Sequence, residues 1–326
     1  MTRKALDGVV ILCLLASIFL SACGLDANAN LHKAGAAALQ EEPVVAPVSS
    51  PTATPSPEPV IPTITLTPAP TDTPAPSATP TALACWSQGG RLESSSLRSK
   101  YVPLPLEYFI YLPPCYDQQP ERHYPVLYLI HGQNYNNDQW VRLGAGETAD
   151  ALIAAGEVAP FIIVMPRDRS WTQPSVDGFG QALINDLLPW VDNHYRTLPS
   201  RTYRAIGGLS RGASWAVHLG LSHWELFSIL GAHSLPVFWD DTPHVRAWLD
   251  AIPLQSMPRI FMDTGEKDYL IQSTLWFEGI LDQKGIPHEW YLFPGYHEEA
   301  YWHAHIEQYI RWYARDWAAE QDDPPF

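Results

Sequence analysis

Apolar runs and helically spaced apolar positions alternate along the last three-quarters of the chain. Segments 106–112 and 125–130 predict strands. The second is apolar throughout, which fits a central position with both faces covered. Residues 149–156 predict a helix and 161–165 a short apolar strand. Over 180–194, Leu183, Leu187, Leu188 and Val191 fall at helical spacing. A strand over 203–208, a helix over 212–221 and a strand over 227–231 follow. Strands over 259–263 and 290–293 bracket a helix over 270–284, and a closing helix covers 297–317. Alternation of this kind builds a mostly parallel sheet with helices on both faces. Residues 235–257, rich in Trp, Pro and Asp, interrupt the rhythm and predict a cap beside a pocket.

The first quarter of the chain lacks this pattern. Arg3 and Lys4 precede an apolar run over residues 9–22, too short for a comfortable membrane span and typical of a signal segment. It ends Leu20-Ser21-Ala22-Cys23, which resembles the bacterial lipobox, in which the cysteine is lipidated. The expectation is a signal peptide over 1–22 and a lipid anchor on Cys23. Such an anchor would hold an exported, extracytoplasmic protein at the cell envelope without a transmembrane helix. Residues 41–81 are dominated by Pro, Thr, Ala and Ser. Such a segment buries too little apolar surface to fold and favours extended conformations, reaching roughly 120 Å at about 3.1 Å per residue. Residues 23–83 therefore read as a disordered linker and 84–326 as the folded domain.

Composition sharpens this division. All 13 tryptophans lie from Trp86 onward, and with 46% hydrophobic and 17% charged residues the folded part can build a sizeable core. The net charge of −15 disfavours nucleic acid, whose phosphates need clustered Lys and Arg. Of the four cysteines, Cys13 lies in the signal segment and Cys23 is the lipid candidate. Cys85 and Cys115 remain, and in an exported domain they predict a disulfide. It would close a loop of about 31 residues and stabilise by roughly 3–4 kcal/mol.

The candidate chemistry centres on Gly208-Leu209-Ser210-Arg211-Gly212. An apolar strand leads in and an amphipathic helix follows, so a sharp turn would lift the Ser210 hydroxyl clear of the sheet. A serine hydroxyl needs a base, and this arrangement orders its partners serine, acid, histidine along the chain. His297, directly after the 290–293 strand, is the candidate base, and His233 a candidate pocket residue. Asp268 is the candidate acid, with Asp263 and Glu266 as near alternatives. His303 and His305 stand two apart and point to different faces of a helix, which argues against a zinc site. The oxyanion would be held by the backbone N–H groups of Arg211 and of Gln133, the latter in the loop His131-Gly132-Gln133-Asn134. No metal or organic cofactor is expected.

These blocks together resemble an esterase family of α/β-hydrolases that includes enterochelin, feruloyl and acetyl-xylan esterases, S-formylglutathione hydrolases and mycolyltransferases. The resemblance covers residues 104–312. It is carried by Tyr124 to Gly132 with Trp140, by Asn185 to Val191 with His194 to Thr197, by the turn around Ser210, by Gly265 to Asp268, and by Gly295-Tyr296-His297 with Trp302. It implies an α/β-hydrolase fold and a Ser210–His297–Asp268 triad acting on a small-molecule or carbohydrate-linked ester through an acyl-enzyme. The chain departs from the family at Arg211 and Ala213, where Met and a second Gly are common, and at Tyr296, where Gly is common. Arg211 would then select a substrate or point to solvent. Trp171, Phe238 and Trp239 are candidates for an aromatic wall or for plain packing. Two other readings stay open: acyl transfer to a sugar on the same triad, and a non-catalytic surface binding module. The sequence leaves the oligomeric state open.

Overall fold

The computed structural model describes residues 84–317; the signal, lipobox and linker segments lie outside them. Eight strands form one sheet: β1 (Arg91–Leu97), β2 (Leu106–Leu112), β3 (Val126–Ile130), β4 (Ile162–Pro166), β5 (Arg204–Leu209), β6 (Ile229–His233), β7 (Arg259–Gly265) and β8 (Glu289–Phe293). Their order across the sheet is β1-β2-β4-β3-β5-β6-β7-β8. The β1–β2 and β2–β4 pairs are antiparallel, and every other pair is parallel.

The strand residues explain the layering. Along β3, Leu127 and Leu129 enter one apolar cluster and Val126, Tyr128 and Ile130 another. Ala205 and Ile206 on β5 divide in the same way. Both faces are apolar with period two, so both must be covered. Helices α1 (Gln139–Arg142), α2 (Ala145–Ala154), α3 (Phe179–Ala182), α4 (Leu188–His194), α5 (Arg211–Ser222), α6 (Val245–Ala251), α7 (Ile271–Lys284) and α8 (Glu299–Ala314) supply the cover. α2 and α8 belong to the cluster on one face, and α3, α4, α5 and α7 to the two clusters on the other. Among the described residues, no helix is long and apolar enough to cross a membrane.

Several expectations shift. The 180–194 helix is three joined pieces, with a π-helical turn over Leu183–Leu187 between α3 and α4. The 227–231 strand begins two residues later and runs to His233, because a 3₁₀ turn over Trp224–Leu226 occupies its approach. β1 was not anticipated: its sequence Arg-Leu-Glu-Ser-Ser-Ser-Leu is polar because it is the half-exposed edge of the sheet. The 235–257 segment contains α6, whose Val245 and Leu249 are buried in the core. Cys85 and Cys115 form a disulfide, tying a 3₁₀ turn (Ala84–Ser87) to the residues just after β2.

Candidate active site

Three loops at the C-terminal ends of β5, β7 and β8 converge on one point. Ser210 follows β5 at φ 52° and ψ −126°, a conformation seldom populated by a residue with a side chain. The packed surroundings hold it there. The Ser210 N–H donates to the His233 carbonyl at 2.8 Å. A Cβ on Gly208 would collide with the Gly212 backbone, and one on Gly212 with the Ile130 and His131 carbonyls. Only glycine at both positions lets helix and strands approach this closely.

His297 Nε2 lies 2.9 Å from Ser210 Oγ, and His297 Nδ1 lies 2.9 Å from Asp268 Oδ2. The structure thus brings Ser210, His297 and Asp268 together in serine–base–acid order. The acid and base loops are stitched to each other: Glu266 N–H donates to the Phe293 carbonyl and Lys267 N–H to the Gly295 carbonyl, at 2.8 and 2.9 Å. Burial alone would raise the Asp268 carboxyl. Hydrogen bonds from His297, from Leu270 N–H and from the Ser234 hydroxyl outweigh it and hold the carboxyl below its ordinary pKa.

Ser234 escaped sequence reasoning. It is fully buried at φ 52°, and its Oγ accepts from Trp302 Nε1 at 3.1 Å. Trp302 also stands edge-on to the His297 ring at 5.0 Å between centroids. A lone serine after a strand carries no sequence signal for such a role.

Of the two alternatives to Asp268, Asp263 is fully buried and accepts from His233 Nδ1 and from the Tyr301 and Tyr309 hydroxyls, each at 2.6 Å. Glu266 is exposed. His233 is not a pocket residue: it is fully buried, and its Nε2 lies 3.0 Å from the Tyr313 hydroxyl. His305 stacks on Phe293 at 4.3 Å between ring centroids, and burial lowers its pKa. Among the described residues, the three side chains whose ligand atoms could meet around a metal are Glu278, Asp282 and His288, and they include neither His303 nor His305.

Ser210 and His297 open onto a cleft of about 290 Å³, lined also by Gln133, Tyr135, Tyr269 and Trp302. Trp171 is 68% exposed, and its Nε1 donates to the Gln133 carbonyl at 3.0 Å. Tyr269 is 75% exposed and lies 4.8 Å from the His297 ring. Phe238 is no part of an aromatic wall; it is buried against Trp215. Trp239 is 81% exposed, outside this lining.

The Arg211 side chain takes neither expected course. It turns into the protein, where Nε donates to Asp168 Oδ2 at 2.6 Å and Nη2 to Asp177 Oδ2 at 2.9 Å. Its guanidinium also faces the Trp215 and Phe238 rings. The backbone N–H of Arg211 remains the first amide of α5, next to Ser210.

The family described as "Putative esterase" matches residues 99–313. The chain belongs to this esterase family. A curated relative named endo-1,4-beta-xylanase/feruloyl esterase, from Xylanibacter ruminicola, is 34% identical over 133 residues, covering 37% of this chain and 18% of that protein. An esterase of Mycobacterium tuberculosis is 27% identical over 234 residues, covering 54% of this chain and 49% of that one. The esterase chain thus spans half or less of the length of these relatives. A solved ferulic acid esterase superposes with a TM-score of 0.62 at 26% identity, over 70% of this chain and 98% of its own. An S-formylglutathione hydrolase from Staphylococcus aureus superposes at 0.55 with 18% identity, over 68% and 98%, and shares the fold. That fold is the α/β-hydrolase fold.

Proposed function

We propose that this esterase is a serine carboxylic-ester hydrolase working through Ser210, His297 and Asp268. The observation that carries the reading is the pair of 2.9 Å contacts that line up hydroxyl, imidazole and carboxylate. In the reaction, Ser210 Oγ attacks the ester carbonyl carbon while its proton passes to His297 Nε2. The negative charge on the carbonyl oxygen is held by the N–H groups of Arg211 and Gln133, each donor contributing on the order of 3 kcal/mol. The tetrahedral intermediate expels the alcohol, which takes the proton from His297, and leaves an acyl-Ser210. Water, deprotonated by His297, then attacks the acyl carbon and frees the acid. Asp268 keeps the imidazole in the tautomer that accepts at Nε2.

The cleft and the relatives support one substrate class. Exposed Tyr135 and Tyr269, with Trp171 beside Gln133, suit a flat aromatic acyl group on a bulky alcohol. The names of the relatives, endo-1,4-beta-xylanase/feruloyl esterase and ferulic acid esterase, favour a feruloyl ester, carried on a xylan as the first name suggests. The protein is exported and tethered at the envelope through Cys23, a reading supported by the lipobox-like Leu20-Ser21-Ala22-Cys23 and the Pro/Thr-rich spacer. Replacing Cys23 with Ala should release the protein from the membrane fraction.

The test is a hydrolysis screen with p-nitrophenyl esters of rising acyl length, methyl ferulate and acetylated xylan. Methyl ferulate turnover that disappears in Ser210→Ala is the expected result. Turnover that survives this change contradicts the mechanism. Product analysis with added acceptor sugars separates hydrolysis from acyl transfer.

A further inference from the structure

The buried course of the Arg211 side chain has a counterpart on the other side of the oxyanion site. His131 is 2% exposed, and its Nδ1 lies 2.7 Å from the Gly132 carbonyl. A carbonyl only accepts, so Nδ1 carries the proton. His131 Nε2 accepts the Asp168 N–H at 3.0 Å, so it carries none. Burial lowers the pKa of this imidazole, and the Gly132 carbonyl and Asp168 only partly oppose it, in keeping with the neutral tautomer that both contacts require.

The Gly132 carbonyl also accepts the Tyr135 N–H at 3.2 Å. In a trans peptide the carbonyl and the following N–H point in opposite directions. Fixing the Gly132 carbonyl on His131 therefore fixes the direction of the Gln133 N–H, one of the two proposed oxyanion donors. The Gly132 N–H is already committed to Gln139 Oε1 at 2.8 Å and is not available to a substrate. From His131 the contacts run on to Asp168. Its Oδ2 accepts Arg211 Nε and Trp215 Nε1, and its Oδ1 accepts Ser170 N–H. Arg211 then returns to the nucleophile turn through its own backbone, whose N–H is the second proposed donor.

We propose that His131, Asp168 and the Arg211 side chain form one hydrogen-bonded chain that sets the spacing of the Gln133 and Arg211 N–H groups around the developing oxyanion. This deepens the serine-hydrolase reading above and rests on it. The three are positioning residues: none of their side chains touches the reacting atoms. The chain needs an arginine. A guanidinium reaches Asp168 and Asp177 at once through separate nitrogens, while a lysine ammonium is a single point of charge. An uncharged side chain after Ser210 would leave both carboxylates buried without their cation.

The test compares His131→Ala, His131→Asn and Arg211→Lys with the wild type on methyl ferulate, or on whichever screened ester the wild type turns over. It also measures inhibition by phenylboronic acid, which forms a tetrahedral adduct on the serine. Thermal melting checks folding. Misplacing a donor by a fraction of an ångström should lower kcat on the order of tenfold to a hundredfold with KM little changed. His131→Ala and Arg211→Lys are expected to show that loss, with a parallel loss of boronate affinity. The His131→Asn amide can still donate to the Gly132 carbonyl but loses the Nε2 acceptor for the Asp168 N–H, so this variant should recover part of kcat.

The proposal is overturned if folded His131→Ala and Arg211→Lys keep wild-type kcat. It is equally overturned if KM rises with kcat unchanged, which would mean substrate contact, or if His131→Asn is as impaired as His131→Ala. If Arg211→Lys fails to fold, the two His131 variants decide alone. A wild-type protein that hydrolyses no ester would instead sink the serine-hydrolase reading.

Discussion

Two histidine–aspartate pairs sit on neighbouring parts of the sheet and have different surroundings. His233 Nδ1 is 2.6 Å from Asp263 Oδ1, and His297 Nδ1 is 2.9 Å from Asp268 Oδ2. In the first pair the remaining imidazole nitrogen meets the Tyr313 hydroxyl, and both side chains are sealed from solvent. Room for that hydroxyl comes from Gly207 and Gly231, paired across β5 and β6, since a Cβ on either would overlap the Tyr313 ring and hydroxyl. Burial and the Asp263 charge push the Tyr301 and Tyr309 hydroxyls well above their ordinary pKa, so both stay protonated and donate to Asp263. In the second pair the remaining nitrogen faces Ser210 at an open cleft. An acid–imidazole contact is therefore common to both, and the partner on the other ring nitrogen, facing the cleft, is what separates a core fastening from the proposed catalytic base.

The largest expected effect falls on the open pair. Ser210→Ala or His297→Ala should lower kcat by roughly 10⁴-fold or more while the melting temperature stays near wild type, as steady-state kinetics and calorimetry would show. Asp268→Asn should cost on the order of 10²- to 10⁴-fold, because an amide can hold the ring in the wrong tautomer. The sealed pair should behave in reverse. Asp263→Asn removes an acceptor shared by His233 and two tyrosines and should lose about 3 kcal/mol of stability in chemical denaturation, with kcat of the folded enzyme changed only a few-fold. A large kcat loss there, without a stability loss, would erase the distinction.

Smaller effects sharpen it further. Reducing the Cys85–Cys115 bond should cost roughly 3 kcal/mol of stability and leave kcat intact, since neither cysteine lines the cleft at Ser210. The smallest effect is in pH. The Asp268 carboxyl is held below its ordinary pKa in the fold, so its contribution to stability is present above the unfolded value near 4 and is lost as pH falls through the folded value. The melting-temperature gap between wild type and Asp268→Asn should therefore be widest above about pH 4 and narrow below it.

How far these contrasts could be read from the sequence depended on the residues. The β5–Ser210–α5 turn was legible because an apolar run, the two flanking glycines Gly208 and Gly212 and an amphipathic helix sit within the nineteen positions 204–222. Asp268 was favoured over Asp263 from its place in the loop after β7, but the bond of Asp263 to His233, 30 residues away, could not be read from the sequence. The inward turn of Arg211 was illegible because Asp168 and Asp177 lie 43 and 34 residues away in sequence. The polar edge strand β1 carried no apolar period to detect.

If Ser210 carries the activated hydroxyl, as proposed, mass spectrometry of the intact protein after exposure to a fluorophosphonate will find it. The expected result is one adduct per chain, mapped to Ser210, absent in Ser210→Ala and strongly slowed in His297→Ala, yet formed normally in folded Asp263→Asn. An adduct on another residue, or no adduct on a protein that still hydrolyses esters, would contradict it.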